Sequence, residues 1–404
     1  MSFLSPSPAF GESTSRLDRL QLAAVLGLIL LGLAFVFSAT MISESALSQP
    51  LIKQLWFRQL FWYGVGGGAA VLLCLVDYHT WTRWGGFIYW VSIVTLVAVM
   101  LFGTVRGGAR RWFDLGFVSL QPSELAKLAF VLALANFLSR PPDELRLPVN
   151  FWKALALMGL PVLLIMKEPD LGSALVFIPT GLAMMLVAGV PRRFLFRLLG
   201  AGSIVATLFL VDILFAPPHW QIKLEEYQRH RLLVYFGQDF APPDATKEQK
   251  QRMAELRRQK SYQPNQALRA VGSGGFWGKG WRQGSQTALG FLPPGAAHTD
   301  FIFSVIAEEK GFIGSVMVLT LYGIVLFTGL RIADRARDRL GKVLAAGVVT
   351  LLFSHIFINI GMNIRLMPVT GIPLPLLSYG GSSVLASMIA IGMLQNVHLY
   401  RKGY

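Results

Sequence analysis

Ten apolar stretches, each roughly long enough to cross a bilayer as a helix, dominate this sequence and constrain its fold more than any other feature. A bilayer core is crossed by about twenty residues of helix, and in lipid only helices and closed barrels satisfy their own backbone polar groups. The stretches therefore predict an all-α polytopic membrane protein with about ten transmembrane helices. The approximate spans are Leu20 to Thr40, Gln59 to Val76, Gly85 to Thr104, Pro122 to Leu138, Val149 to Met166, Gly172 to Val190, Phe194 to Phe215, Phe301 to Leu330, Val343 to Gly361 and Ser383 to Leu399.

The composition agrees with a membrane protein and excludes several other classes. Of the 404 residues, 53% are hydrophobic and 15% charged, and the net charge is +15. The basic residues are interleaved with the spans, which predicts contact with anionic lipid head groups and no nucleic-acid partner. The single cysteine, Cys74, excludes a disulfide framework. None of the six histidines forms the His-Glu-x-x-His pattern of a zinc site.

Basic residues in the short loops predict the orientation, because they resist translocation. We expect both termini in the cytoplasm, with a cytoplasmic tail at residues 1–19 and one integral-membrane domain over residues 20–404. The first apolar run is too long for the core of a signal peptide, so we interpret it as a retained span. A large extracytoplasmic loop, residues 216–300, separates spans seven and eight.

The second outer loop violates this charge rule. It contains Arg106, Arg110 and Arg111. The adjacent guanidiniums of Arg110 and Arg111 suit a phosphate or pyrophosphate, because they present forked donors that are always charged. Trp112 is of a type that stacks on a sugar face. Contact with lipid head groups is the alternative for the arginines.

Two further polar stretches adjoin predicted outer ends of spans. Pro122 is typical of a first helical turn, and Glu124 and Lys127 have the spacing of an ion pair. Helix capping alone is the alternative for Glu124. The turn Lys167 to Gly172 places three ionisable groups between apolar helices, which is costly unless they are paired or face water. This indicates a functional cluster, although Asp170 also suits an N-cap.

Asp300 stands where the large outer loop re-enters a hydrophobic span. If the helix starts at Asp300, then Asp300, Ser304 and Glu308 share one helix face. Two carboxylates would then line one path from the membrane surface inward. The alternative for Asp300 is a simple N-cap of span eight.

Three irregular stretches complete the outer loops. The glycine-rich run 272–281 has Ser273 and Gly280 where a phosphate-binding P-loop needs Gly and Ser or Thr, so close packing is the preferred interpretation. The stretch Met367 to Ser383 has three prolines and three glycines, which predicts an irregular wall of an outer cavity. The polar stretch Ala241 to Lys260 predicts a solvated helix or a mobile insert.

Five short motifs occur in a characteristic order. They are Gly-Ala-Arg-Arg-Trp at 108–112, Gln-Pro-Ser-Glu at 121–124, Lys-Glu-Pro-Asp-Leu-Gly at 167–172, His-Thr-Asp-Phe-Ile-Phe at 298–303 and Ser-Tyr-Gly-Gly-Ser-Ser at 378–383. With them the chain resembles, over nearly its whole length, the SEDS family (shape, elongation, division and sporulation) of peptidoglycan glycosyltransferases. The stretches 278–281 and 368–375 look like the elongation member of that family and not the division member. The chain departs from the family pattern at Arg365 and at Pro294 to Ala297.

The resemblance implies a reaction. Lipid II would be polymerised into glycan strands during cell elongation and shape maintenance, with Asp300 as general base, inversion at the anomeric carbon and undecaprenyl pyrophosphate leaving. The residues expected to bind substrate are Arg110, Arg111, Trp112, Glu124, Lys127, Lys167, Glu168, Asp170, His298, Thr299, Ser304, Glu308, Ser378 and Tyr379. A lipid II flippase is the alternative function, and a scaffold for a partner enzyme is a third.

The resemblance also implies a setting. We expect a multi-pass protein of the bacterial plasma (inner) membrane that works with a class B penicillin-binding protein, a transpeptidase, and contacts lipid II, nascent undecaprenyl-linked glycan and membrane lipids. No organic cofactor is expected. A divalent cation, Mg²⁺ or Mn²⁺, stays open, because Asp300, Glu308, Glu168 and Asp170 are hard-oxygen groups that suit it.

Overall fold

A computed structural model of the protein describes residues 17–40, 49–106, 109–114, 116, 119–215, 226–238, 240, 246–292 and 294–401. Sixteen α-helices lie in these ranges. They are α1 Arg19–Thr40, α2 Leu55–Cys74, α3 Tyr78–Thr82, α4 Gly85–Phe102, α5 Pro122–Leu138, α6 Pro142–Leu145, α7 Pro148–Lys167, α8 Leu171–Val187, α9 Arg192–Phe215, α10 Glu226–Phe236, α11 Lys247–Ser273, α12 Ser285–Ala288, α13 Pro294–Ala297, α14 Ile302–Asp334, α15 Arg339–Asn363 and α16 Gly381–Leu399.

Each of the ten predicted spans corresponds to a long helix, so the predicted class is confirmed. By length and composition, seven of the described helices can cross a membrane, namely α1, α4, α7, α9, α14, α15 and α16. The other three predicted spans are α2, α5 and α8. Because α5 and α8 have 17 residues each, they are about 25 Å long, at the short end of the spanning range.

Helices α15 and α16 lie at the centre of the bundle, and α9 lies at its edge. In the most apolar stretch of α15, 78% of the residues are buried inside the protein, and in that of α16 83% are buried. In α9 the corresponding share is 6%. Helix α16 packs closely against α2, where a Cβ at Gly392 would lie 2.8 Å from the Cα of Ala70. Small residues allow this approach, as is usual between membrane helices.

The second outer loop folds into a small antiparallel sheet that the all-α prediction did not include. Strands β1 Thr104–Arg106, β2 Ala109–Asp114 and β3 Ser119–Leu120 are arranged in the order β1-β2-β3. Strand β2 packs against α4 and α5, the two helices that its loop connects. The sheet therefore brings the arginine pair of this loop close to α4 and α5.

The large outer loop contains two helices, α10 and α11. A side-chain capping box at Thr246 and Gln249 starts α11, whose first half is mostly exposed. For residues 246–260 this agrees with the solvated-helix interpretation of the stretch Ala241 to Lys260, whose first five residues lie outside the described residues. The second half of α11 packs against α14.

The glycine-rich run packs into a kink of α14. Gly311 adopts φ 64° and ψ −154°, and the run supplies the hydrogen bonds that the kink interrupts. The amide of Lys279 donates to the carbonyl of Glu308 at 3.0 Å, and the amide of Phe312 donates to the carbonyl of Gly275 at 2.9 Å. A Cβ at Gly278 would lie 2.2 Å from the carbonyl oxygen of Glu309. The packing interpretation of this run is confirmed.

Candidate active site

Asp300 lies in the turn before α14 and does not start that helix. The N-cap is Phe301, and no side chain caps the helix, so both the helix start at Asp300 and its N-cap alternative are wrong. The side chains of Asn359 and Asn363 donate to the backbone carbonyl of Asp300 at 3.0 and 3.1 Å. Asp300 is therefore held through its backbone, and its carboxylate is not used as a helix cap.

The two asparagines were missed by the sequence reasoning. They lie four residues apart on one face of α15, and both are fully buried. The Oδ1 atom of Asn363 also accepts from the Ser304 hydroxyl at 2.6 Å and from its amide at 3.2 Å. Amides at this spacing in an apolar span were an available signal, because buried polar groups in membrane helices are rare and paired.

Glu308 does not line a path shared with Asp300, so that prediction is wrong. Its Oε1 atom accepts from Lys279 Nζ at 2.6 Å, from the Ser285 hydroxyl at 3.2 Å and from the amide of Gln286 at 3.0 Å. The helix starts at Ile302 instead of Asp300, and the glycine-rich run covers the Glu308 position. Ser304 and Glu308 thus fasten α14 to its neighbours and have no exposed side chain for a substrate.

The electrostatic surroundings suit Asp300 to exchange a proton near neutral pH. Burial raises the pKa of its carboxyl to about 6, the guanidinium of Arg231 opposes that rise, and Asp170 adds to it. Arg231 comes from α10 in the large loop and donates from Nη1 to the carbonyl of Thr370 at 3.2 Å. No local sequence pattern pointed to Arg231, since the loop must fold before it approaches Asp300.

Gly371 forms the wall opposite Asp300. It adopts φ +78°, and a Cβ there would lie 3.6 Å from Asp300 Oδ2. The irregular stretch around it is fastened to the Asp300 turn: the Ser378 hydroxyl donates to the carbonyl of Thr299 at 2.5 Å, and the Tyr379 amide donates to the carbonyl of His298 at 2.8 Å. The expected residues His298, Thr299, Ser378 and Tyr379 therefore gather around Asp300, and the predicted irregular wall is observed.

The turn between α7 and α8 adds two carboxyl groups with different surroundings. Asp170 caps α8 by accepting from the Ser173 amide at 3.0 Å, and it also accepts from the Gln121 side chain at 3.1 Å. Glu168 is 2% exposed, and within the described residues neither of its carboxyl oxygens has a hydrogen-bond partner. Burial, and then Asp170, raise the pKa of Glu168 to about 8. At pH 7 Glu168 is mostly neutral, and Lys167 beside it is exposed.

Arg110 and Arg111 do not present one joint fork to a phosphate, contrary to the sequence interpretation. Successive residues of a strand point to opposite faces, and both arginines lie in β2. Arg111 donates to the backbone carbonyls of Glu168, at 2.7 Å, and Pro169. Arg110 is exposed and donates to the carbonyl of Leu101 at 3.2 Å. Trp112 is two residues from Arg110 and therefore shares its face of the strand.

Glu124 and Lys127 form the predicted ion pair, with 2.8 Å between Oε1 and Nζ. His355 of α15 extends it, with 2.9 Å between Lys127 Nζ and His355 Nε2. All three side chains are buried, and the cavity beside them has a volume of about 20 Å³. That space holds about one water molecule, so a sugar does not fit among these residues as they are arranged here.

The divalent cation stays a prediction. Across the described parts of the chain, no group of three or more His, Cys, Asp and Glu side chains is placed to hold a metal ion. Glu308, one of the four oxygen groups considered, is occupied by Lys279.

Comparison with known proteins agrees with these motifs. The FtsW/RodA/SpoVE family model, described as "Cell cycle protein", matches residues 18–403. "Peptidoglycan glycosyltransferase MrdB" of Escherichia coli (strain K12) is 36% identical over 387 residues, covering 95% of each chain.

Two solved structures also share the fold. A chain from the structure titled "Structural coordination of polymerization and crosslinking by a peptidoglycan synthase complex" has a TM-score of 0.74 and 28% identity, covering 96% of this chain and 99% of its own. The Thermus thermophilus rod shape determining protein RodA has a TM-score of 0.63 and 28% identity, covering 96% and 98%. The chain belongs to the FtsW/RodA/SpoVE family, the SEDS family, and within it is RodA-like.

Proposed function

We propose that this protein is a peptidoglycan glycosyltransferase that polymerises lipid II into glycan strands during cell elongation, with Asp300 as the general base. The relative named MrdB, of which this chain matches 95%, supports the enzyme class and the peptidoglycan product. One observation carries the role of Asp300: its carboxyl group caps no helix and has a pKa near 6. A base works best when its pKa lies near the working pH.

The proposed reaction is a single displacement. The 4-hydroxyl of the acceptor sugar donates a hydrogen bond to the Asp300 carboxylate, and its oxygen attacks the anomeric carbon of the growing glycan. The bond from that carbon to the pyrophosphate breaks with inversion, and the hydroxyl proton passes to Asp300. The departing undecaprenyl pyrophosphate gains negative charge, which nearby cations stabilise.

The exposed cations of the outer loops are the candidates for that stabilisation. Arg110 and Lys167 are exposed, whereas Arg111 is engaged with two backbone carbonyls. Arg231 acts on Asp300 directly, since it opposes the rise in the pKa of that carboxyl. The mechanism assigns no step to a metal ion.

The expected partner is a class B penicillin-binding protein. Its support is the structural relative from a complex whose title joins polymerisation to crosslinking. The expected location is the bacterial plasma membrane, with both termini in the cytoplasm. The seven helices of spanning length and composition support a multi-pass protein, and the loop charges carry the orientation.

Replacing Asp300 with Asn tests the base directly. Because general-base catalysis contributes about 10² to 10⁴ in rate, the variant should lose nearly all glycan polymerisation from labelled lipid II. It should keep its melting temperature, because the asparagine contacts use the backbone carbonyl. Asp334→Asn, at the opposite end of α14 and exposed, is the matched control and should polymerise normally. Full activity in the Asp300→Asn variant would rule out the assigned base.

The flippase alternative has one supporting feature, the buried cluster of Glu124, Lys127 and His355 inside the bundle, because ionisable groups within spans often mark transport paths. Purified protein with labelled lipid II separates the readings. Glycan ladders in detergent support the polymerase, and lipid movement in sealed liposomes without ladders supports the flippase. If the intact protein shows neither ladders nor lipid movement, the result supports a scaffold.

A further inference from the structure

A large cavity lies at the end of the bundle opposite Asp300. Helix α8 begins beside the site, where Asp170 caps it, and it ends 17 residues later at Val187, about 25 Å away. At that far end a cavity of about 900 Å³ opens between α8 and the start of α9. The cavity is therefore separate from the polymerisation site.

The floor of this cavity is apolar. It includes Leu182 and Leu186 from α8, and Leu195, Phe196 and Leu199 from α9. Phe196 is 69% exposed and Leu186 is 52% exposed. Large apolar side chains left uncovered at the edge of a membrane bundle favour contact with hydrocarbon chains.

Three arginines line the same cavity. They are Arg146, after the short helix α6, and Arg192 and Arg193, at the start of α9. All three are exposed. The ion pair of Arg146 with Asp143 is 3.5 Å long, and its side chains are 71% and 91% exposed, so it is weak. The cavity thus combines a cationic region with an apolar floor.

Helix α9 leaves room for a lipid at this position. Only 6% of its most apolar stretch is buried in the protein. A helix with so little protein around it is surrounded mainly by bilayer when it spans a membrane. Acyl chains can therefore reach the floor from the side.

We propose that this cavity binds an anionic phospholipid of the bilayer, of the phosphatidylglycerol type. The arginines bind its phosphate through charge-assisted hydrogen bonds, and its acyl chains lie on the leucines and Phe196. Basic pockets between membrane helices on the cytoplasmic side suit anionic head groups. The occupant is assigned to the bilayer's own lipid because the proposed site for lipid-linked pyrophosphate, at Asp300, lies beside the opposite end of α8.

Native mass spectrometry of the full chain, offered phosphatidylglycerol and phosphatidylcholine at equal concentration, tests the proposal. The protein should retain phosphatidylglycerol in preference. The variant Arg146→Gln, Arg192→Gln, Arg193→Gln should lose at least about tenfold in this affinity. The matched control removes three exposed arginines near the same face and outside the cavity, Arg83→Gln, Arg335→Gln and Arg337→Gln, and should bind normally.

Two further variants separate charge from shape. The variant Arg146→Lys, Arg192→Lys, Arg193→Lys keeps the charge of the cavity and should retain most of the binding. Leu186→Trp, which fills the floor without changing charge, should weaken binding of phosphatidylglycerol and provides the test if the glutamine variant does not fold. Melting temperatures identify the folded variants.

Several outcomes would overturn the proposal. Equal losses in the cavity variant and its control, or equal retention of phosphatidylcholine, would remove the assigned site. Displacement of phosphatidylglycerol by equimolar undecaprenyl pyrophosphate would assign the cavity to lipid-linked intermediates instead. If inorganic phosphate displaced phosphatidylglycerol equally well, the acyl chains would make no contribution to binding. None of these readouts uses polymerisation, so failure here leaves the Asp300 proposal separately testable.

Discussion

Asp300 combines a turn that is held through its backbone carbonyl with a carboxylate that caps no helix and has a hydrogen bond with Thr299. Its carbonyl accepts two asparagine amides, while Gly371 leaves space beside its carboxylate. Burial raises the pKa of the carboxyl to about 6, and the guanidinium of Arg231 opposes any further rise. The same residue can therefore receive a proton without loosening the turn that carries it.

The pKa of Asp300 predicts the pH dependence of polymerisation. A general base acts in its deprotonated form, so the rate should rise about tenfold per pH unit below pH 6 and level off above it. The value of about 6 comes from burial, with Arg231 and Asp170 acting in opposite directions. Initial rates with labelled lipid II, measured from about pH 4.5 to about pH 8, define the rising limb of the pH profile.

Arg231 provides the control for that assignment. Arg231→Gln removes a positive charge that lowers the pKa of Asp300, so the rising limb should move to higher pH. Arg231→Lys keeps the charge and should leave the limb nearly in place. If the limb stays unchanged in Arg231→Gln, then Asp300 is not the group that the profile reports.

At the scale of elements, the kink in α14 and the glycine-rich run depend on each other. The kink frees backbone groups, and the run supplies partners for them, such as the carbonyl of Gly275 for the amide of Phe312. Lys279 then reaches Glu308 with 2.6 Å between Nζ and Oε1. A helix interior with φ 64° at Gly311 is tolerated because this position is a glycine.

Gly311→Ala should therefore destabilise the protein by at least about 2 kcal/mol. A Cβ there would lie 2.4 Å from the amide nitrogen of Gly278 and would meet a positive φ. Gly323→Ala, in the same helix with nothing within 4 Å of its added Cβ, is the control and should be neutral or slightly stabilising. Thermal melting in detergent measures the stability of both variants. Equal melting temperatures would contradict the conclusion that the kink at Gly311 is needed for the packing of the glycine-rich run.

Across the whole molecule, the large loop is fastened to residues 365–370, where α15 gives way to the irregular stretch beside Asp300. Arg231 donates to the carbonyl of Thr370, the Tyr235 hydroxyl donates to the carbonyl of Leu366 at 2.9 Å, and Arg365 donates to the side chain of Asn265 at 2.9 Å. Arg365 is one of the two departures from the family pattern. The structure gives it a role in holding the loop that delivers Arg231.

Replacing Arg365 with Ala should loosen this attachment. Loss of a hydrogen bond to a charged group costs about 1.5 to 3 kcal/mol, so hydrogen exchange in α10 and α11 should rise. Polymerisation should fall by up to about tenfold, because Arg231 is less well placed. Arg258→Ala, on the exposed half of α11, is the control, and equal exchange in the two variants would show that Arg365 does not secure the loop.

The other departure from the family pattern, at Pro294 to Ala297, also has a defined structure. It folds as the short helix α13, and the amide of Phe301 donates to the carbonyl of Ala296 at 3.0 Å. The departure therefore leads the loop into the Asp300 turn through one helical turn. The family resemblance pointed to its position, and the hydrogen bond shows how the chain accommodates it.

Local patterns in the amino-acid order were enough for the spans, the start of α5 at Pro122 and the Glu124 to Lys127 pair, because hydrophobic runs and short spacings are encoded within a few residues. Folding alone decided that Arg110 and Arg111 occupy opposite faces, that Glu308 binds Lys279, and that Asn363 and Arg231 come to Asp300. These contacts join residues far apart in the chain, such as Asn363 and Asp300, 63 positions apart. They depend on how helices and loops pack together, which no short stretch of residues specifies.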